Sequence, residues 1–201
     1  MDDVPAKHAR RSAHLPWIAA LIALAASGCI APAGVGPAAD RPLETVDRVD
    51  LERFAGLWYV IESRGTGAEA GAHDATERYT MRPDGRIDID FRFREGGFDG
   101  PERRIPQTGW VYDTRTNAEW RVRPFWPLRL AYLVIDLDPD YAWTVIGHPS
   151  KRYVWVLARE PRLAAGILDG IHARLAAQGY DTQPIETVPQ RPLDERPPLA
   201  P

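Results

Sequence analysis

Side chains that attack, ligate or relay protons are scarce in this sequence, and their spacing says more than their number. Cys29 is the only cysteine. One thiol excludes an intramolecular disulfide and leaves no cysteine cluster for zinc. After it come three histidines, His73, His148 and His172, spread over different stretches and never in a paired metal-ligand spacing. No nucleophile-elbow pattern supplies an activated serine. Catalysis is therefore the weaker reading, haem on His73 or His148 is weaker still, and no metal or cofactor is expected. His172 falls in a helical stretch and His148 in a Gly-His-Pro turn, where imidazoles more often serve structure. The 25 Lys and Arg stand against 28 Asp and Glu. Such a balance offers nucleic acid no basic field.

The surroundings of Cys29 give its thiol a use. Lys7, Arg10 and Arg11 precede an apolar run, Leu15 to Ala26, which is short of the about 20 residues that a bilayer core takes. A positive region followed by a hydrophobic one is the layout of a secretory signal. Ala26, Ser27 and Gly28, directly before the cysteine, resemble a bacterial lipobox. That resemblance implies cleavage before Cys29, a diacylglyceryl thioether on its sulfur and an acyl chain on the new amino terminus. Several acyl chains would hold the protein to a membrane where a single chain is marginal. An ordinary signal peptide with an incidental cysteine is the other reading. Ile30 replaces the aspartate that favours inner-membrane retention in enterobacterial lipoproteins, so the outer membrane, on its periplasmic side, is the expected address.

Residues 1–28 thus read as a lipoprotein signal peptide, and 29–47, rich in Ala, Pro and Gly, as a lipidated flexible tether. At the far end, 184–201 holds six prolines in 18 residues and reads as an extended Pro-rich tail. The stretch 48–183 between them has the size of one domain.

Within that domain the period is two. From Arg86 to Arg94, positions 87, 89, 91 and 93 are apolar and every neighbour is charged, the pattern of a half-buried strand. Pro83-Asp84-Gly85 before it is a tight turn, and 76–81 is its hairpin partner. Further strands are expected at 108–112, 118–123, 130–137, 141–147 and 152–159, after a first one opening at Trp58. About eight strands with short connections predict an all-β, antiparallel up-and-down barrel. One α-helix follows them. Pro161 suits its first turn, Leu163, Ala164, Ile167, Leu168, Ile171 and Leu175 share a face, and Gly179 is its stop. Gly166 and Gly170 weaken it by up to about 1 kcal/mol each, unless they allow close contact with the sheet. Leu130 to Leu137 is apolar on both faces, so the helix should pack on the outside there or beside it.

An eight-stranded barrel holds side chains or one small ligand. Alternation sends Ile89, Phe91 and Phe93 inward, together with Ile87, and Trp120, Val122 and Tyr132 from later strands complete the expected lining. A transmembrane barrel would turn Arg86, Asp88, Asp90, Arg92 and Arg94 against lipid, which rejects that reading.

Gly56-Leu57-Trp58-Tyr59 matches the Gly-x-Trp-Tyr signature of the lipocalins. Pro124 to Tyr141 resembles the stretch leading to their second conserved region, and Tyr153 to Pro161 the third, in which an arginine ends the last barrel strand. Across residues 48 to 183 the chain is most similar to the bacterial outer-membrane lipoproteins of that family (Blc type) and their apolipoprotein D relatives. The resemblance implies that Trp58 closes the barrel floor with Arg159 across its ring, Gly56 and Tyr59 belonging to the same closure. A guanidinium over an indole contributes about 0.5–2 kcal/mol, and Gly56 would let the closing segment approach without a Cβ.

It also implies a carrier or store for a small hydrophobic ligand, a fatty acid or lysophospholipid, with a role in membrane maintenance or stress. The membrane would be met through the lipid anchor, and a homodimer is left open. Arg92, Arg121, Arg123 and Arg129 are candidates for an anionic head group, although a solvated surface charge is the commoner role. Val60 stands where close relatives often carry glutamate, making the lining near the floor less polar. Trp110 and Trp126 are expected to narrow the cavity or its entrance. The rival to a carrier is a structural lipoprotein whose barrel is plugged by Phe91, Phe93 and Trp120.

Overall fold

Asp50 begins the folded body by capping α1 (Leu51–Phe54), its carboxylate accepting from the Glu52 and Arg53 amides. The computed structural model describes residues 41–125, 127–181 and 184–196. Cys29, the expected signal peptide and Trp126 therefore lie outside the described residues. Eight strands follow α1: β1 (Gly56–Arg64), β2 (Ala72–Met81), β3 (Arg86–Glu95), β4 (Glu102–Val111), β5 (Glu119–Arg123), β6 (Leu130–Leu137), β7 (Trp143–Gly147) and β8 (Val154–Ala158). Each pairs antiparallel with its sequence neighbour, and β1 meets both β2 and β8, which closes the barrel.

The period-two pattern is what the barrel wall obeys. Ile87, Ile89, Phe91 and Phe93 are buried inside. Between them, Asp90 pairs with Arg92 at 2.9 Å and with Arg104 at 2.6 Å on the outer surface. β2 and β4 begin four and six residues earlier than alternation suggested, at Ala72 and Glu102. Pro106 lies within β4 opposite Asp90. A proline cannot donate to the ladder, and with Arg103 and Arg104 beside it that stretch does not read as strand.

The second core lies outside the wall. Helix α2 (Ala165–Ala177) sets Ile171 and Leu175 in one buried cluster with Leu133, Ile135, Val145, Val156 and Tyr59, and full burial of such a side chain is worth about 1.5–3 kcal/mol. Arg174 pairs with Asp136 of β6, and His172 with Glu62 of β1 at 2.6 Å. Glu62 faces the helix because β1 is bulged between Val60 and Glu62, which breaks the inward alternation begun by Trp58 and Val60. Pro161 is not in the helix, whose first residue is Ala165 with no side-chain cap on it. Nor do the glycines serve contact with the sheet: a Cβ on Gly166 would meet open space, and one on Gly170 only the Arg174 guanidinium. No helix among the described residues is long and apolar enough to cross a membrane.

The Pro-rich end is seated on the barrel through Arg196, which corrects the expected boundary at 183. β1 pairs with β2 only from Gly56 to Tyr59, and further along β9 (Glu186–Thr187) takes up Glu62 and Ser63 instead. Beyond β9 the Gln190 amide donates to the carbonyls of Val60 and Ala75, one from each side of the seam. Arg191 then binds Asp74, whose side chain is 7% exposed, through Nε at 2.7 Å. Prolines keep this strand to two residues; beyond it the Val188 amide still donates to the Ile61 carbonyl and the Asp74 amide to the Pro189 carbonyl, and side chains add the rest.

Candidate functional site

The barrel has one solid end and one hollow end. At the solid end, Phe54 packs at 5.1 Å from Trp58, 5.2 Å from Tyr79 and 5.1 Å from Trp120, ring centroid to ring centroid. The Trp58 indole N–H donates to the Phe54 carbonyl at 2.8 Å. The Arg159 guanidinium covers the outer face of this plug, donating to the carbonyls of Arg53, Phe54, Ala55 and Leu57. These carbonyls belong to α1, the turn after it and the start of β1, so a single side chain satisfies the backbone that closes the floor. Gly56 is needed there for its dihedral, φ +98°, which L side chains rarely adopt. Space is not the reason, since a Cβ would sit 3.4 Å from Arg159, an ordinary contact.

Above the plug is a cavity of about 530 Å³, bounded by Phe91, Ile105, Val122, Leu130, Tyr132 and Trp155, with Pro124, Phe125 and Leu128 at its rim. The volume is within the range of small-molecule sites, about 300–1,000 Å³. Phe125 and Leu128 are exposed apolar side chains on the β5–β6 connection. The β1–β2 connection lies across the same opening, where a single 3-10 turn (Gly67–Glu69) brings Ala68 and Glu69 over the cavity. Glu69 holds that turn in place. Its Oε1 accepts from the Thr66 amide at 2.8 Å and its Oε2 from the Trp155 indole at 2.9 Å.

At the inner end of the cavity is Glu77, only 6% exposed. Its Oε2 accepts from the Tyr79 hydroxyl and from Tyr132 at 3.3 Å, and the two hydroxyls touch each other. Burial, with the Glu69 carboxylate nearby, pushes the Glu77 carboxyl up to about 8. The same burial, with Glu77 beside it, drives Tyr132 well above the usual tyrosine range. His148 also lines the cavity, and burial holds its imidazole below the ordinary value, hence neutral at pH 7. No Lys or Arg is among the lining residues described.

Of the residues expected to line a ligand site, Phe91, Val122 and Tyr132 border the cavity. Ile89 and Trp120 lie deeper: Trp120 belongs to the plug, stacked at 5.5 Å on Tyr132, and Ile89 reaches toward Gly109. Phe93 is buried against Phe91, their rings 5.2 Å apart. The arginines considered for an anionic head are not at the cavity. Arg92 pairs with Asp90 and Glu102, Arg121 pairs with Glu119 and lies over Tyr112, and Arg129 lies over Trp110. Arg123 is not among the lining residues either. Trp110 does not narrow the cavity, because its neighbour Gly109 takes the inward position. His73 rests on Phe98 and His172 on Glu62, so the histidines do not converge.

Sequence reasoning missed Glu77 and Glu69. The register holds the signal for the first: Ile89 is inward, Tyr79 is its partner, and Glu77 is two residues along the same face. Glu69 had no periodic signal, since it belongs to a loop.

Residues 49–190 match the family model described as a lipocalin-like domain. The chain is 28% identical over 174 residues to the outer membrane lipoprotein Blc of Escherichia coli K12, covering 85% of this chain and 96% of that one. It is 27% identical over 159 residues to temperature-induced lipocalin-1 of Arabidopsis thaliana, covering 75% and 84%. Among solved structures, insecticyanin from the tobacco hornworm Manduca sexta superposes with a TM-score of 0.57 at 15% identity, over 74% of this chain and 84% of that one. A lobster apocrustacyanin gives 0.56 at 11% identity, over 76% and 92%. At such identities the two structures speak for the fold alone.

Proposed function

The chain belongs to the lipocalin family, and from that premise we propose a lipid-anchored outer-membrane protein that binds and carries or stores a small hydrophobic ligand. The observation that carries the reading is the cavity of about 530 Å³ with its mainly apolar wall. A ligand of one acyl chain, of the fatty-acid or lysophospholipid kind, suits such a wall, because each methylene removed from water contributes about 0.8 kcal/mol. The aromatic plug beneath serves the same end, holding the floor shut so that only the mouth exchanges ligand. The outer-membrane address is supported by relatives named outer membrane lipoprotein Blc and by the run Ala26-Ser27-Gly28 before Cys29. A role in membrane maintenance or stress follows from that address.

The protein acts as a binder rather than an enzyme. Glu77 is hydrogen-bonded to Tyr79 and Tyr132, and Glu69 to Trp155, so these groups serve the wall of a binding site. A wholly filled structural barrel accounts for the lower half alone. The deciding experiment is mass spectrometry of lipid extracted from the native protein after detergent-free release from membranes. One single-chain lipid near equimolar amounts is expected. Protein that is lipid-free and also fails to quench its tryptophan emission on titration with lysophospholipid or oleate would overturn the reading.

A further inference from the structure

A cavity built for an alkyl tail alone would be apolar at its closed end, and this one ends in a carboxyl group. Glu77 is 6% exposed and borders the cavity. Both tyrosines act on its Oε2, and among the described residues nothing donates to Oε1. Oε1 is not sealed off either, since among the described residues no fully buried side-chain oxygen lacks a partner. Glu77 itself lines the space a ligand would fill.

An alkyl terminus pressed against it would leave polar groups unmatched, at about 1–3 kcal/mol each. An anionic head would fare worse. Glu77 is bonded by the hydroxyls of Tyr79 on its own strand and Tyr132 on β6, and the other polar groups lining the cavity are the Glu69 carboxylate and Thr66 from the β1–β2 connection, the Gln107 amide of β4, and His148 and Tyr153 around the β7–β8 turn. None of them is a lysine or arginine, and burial keeps His148 neutral at pH 7. A hydroxyl, by contrast, is donor and acceptor at once. It can accept from a protonated Glu77 and donate to an ionised one.

Resting on the carrier reading, we propose that the inner end of the cavity is a head-group site, where Glu77 backed by Tyr79 and Tyr132 receives the hydroxyl of an uncharged single-chain lipid, a monoacylglycerol or long-chain alcohol, and turns away a free carboxylate. Such a ligand enters polar end first. Its chain lies along Phe91, Val122 and Ile105 and leaves toward the rim at Phe125 and Leu128. Because burial and the Glu69 carboxylate push the Glu77 carboxyl up to about 8, discrimination against a carboxylate sharpens as pH rises past that value.

The full chain carrying Cys29→Ser is titrated with monolauroylglycerol, laurate and dodecane at pH 7 and pH 9, followed by tryptophan emission. Monolauroylglycerol is expected to bind about tenfold tighter than laurate at pH 7 and about a hundredfold tighter at pH 9. Glu77→Leu brings the two ligands together and tightens dodecane binding, because an alkyl end then meets an apolar wall. Glu77→Gln keeps the preference for monolauroylglycerol but removes its growth with pH, and this variant decides the matter should the leucine variant not fold. Laurate binding as tightly as monolauroylglycerol, or a growth with pH that persists in Glu77→Gln, overturns the head-group site alone. Failure of all three ligands to bind overturns it together with the carrier reading.

Discussion

The guanidinium carbon of Arg159 lies 3.7 Å from the ring centroid of Trp58, with the two residues 101 positions apart in the chain. The contact joins the segment after β8 to the start of β1, so the beginning and end of the barrel are clasped at one point. Two different attractions act there. The indole face offers a cation–π contact, and four carbonyls of α1 and its exit accept the guanidinium protons.

Arg159→Ala should therefore lower stability by about 2–4 kcal/mol without abolishing the fold, as several charge-assisted bonds go at once. Arg159→Lys should recover less than half of that, because an ammonium cannot span four carbonyls in a plane. Urea unfolding followed by tryptophan emission measures both. An unchanged midpoint for the alanine variant would mean the clasp contributes nothing.

Glu77 should make stability fall as the solution becomes more alkaline. Its carboxyl is raised from 4.5 to about 8 in the folded chain, so the native state holds a proton that the unfolded state has released. The contribution is complete below pH 4.5 and is lost between there and about pH 8, by up to about 1.4 kcal/mol per pH unit. Urea unfolding at intervals from pH 4.5 to 9 should show this slope in the wild type and a flatter profile in Glu77→Gln. Parallel profiles would place Glu77 in water rather than in the wall.

Asp74 should be among the most sensitive surface-proximal positions. It is held at φ 50° and its buried carboxylate binds Arg191, with Arg196 at 3.5 Å. Asp74→Ala leaves two guanidinium groups without their carboxylate and puts at positive φ a residue that tolerates it less well than aspartate, for a loss of about 3–5 kcal/mol. Asp74→Asn tolerates the backbone and should cost less. Limited proteolysis should cut within 184–196 in the alanine variant first, and resistance equal to wild type would separate Asp74 from the closure of the seam.

Cys29→Ser should release the protein from membranes into the soluble periplasmic fraction, since a serine oxygen does not form the thioether. Fractionation and mass spectrometry of the amino-terminal peptide check it. Membrane retention of the serine variant would put the anchor elsewhere.

The wall of the barrel was legible in the sequence because strand periodicity is local. Ile87 to Phe93 alternate with charges, and Leu130 to Leu137, apolar on both faces, showed where a helix had to dock. The family resemblance named Trp58 through Gly-x-Trp-Tyr and Arg159 through Tyr153 to Pro161, and the two meet in space. What only the tertiary structure decided depends on register and on long loops closing. Glu77 looks like any strand carboxylate until pairing opposite Phe91 turns it inward, and Glu62 looks inward until a bulge in β1 turns it out. Residues 186–191 read as tail because prolines forbid a ladder, yet Gln190 and Arg191 find partners more than a hundred positions away. Periodicity reports which side chains share a face, and only the closing of the chain on itself decides which face encloses the cavity.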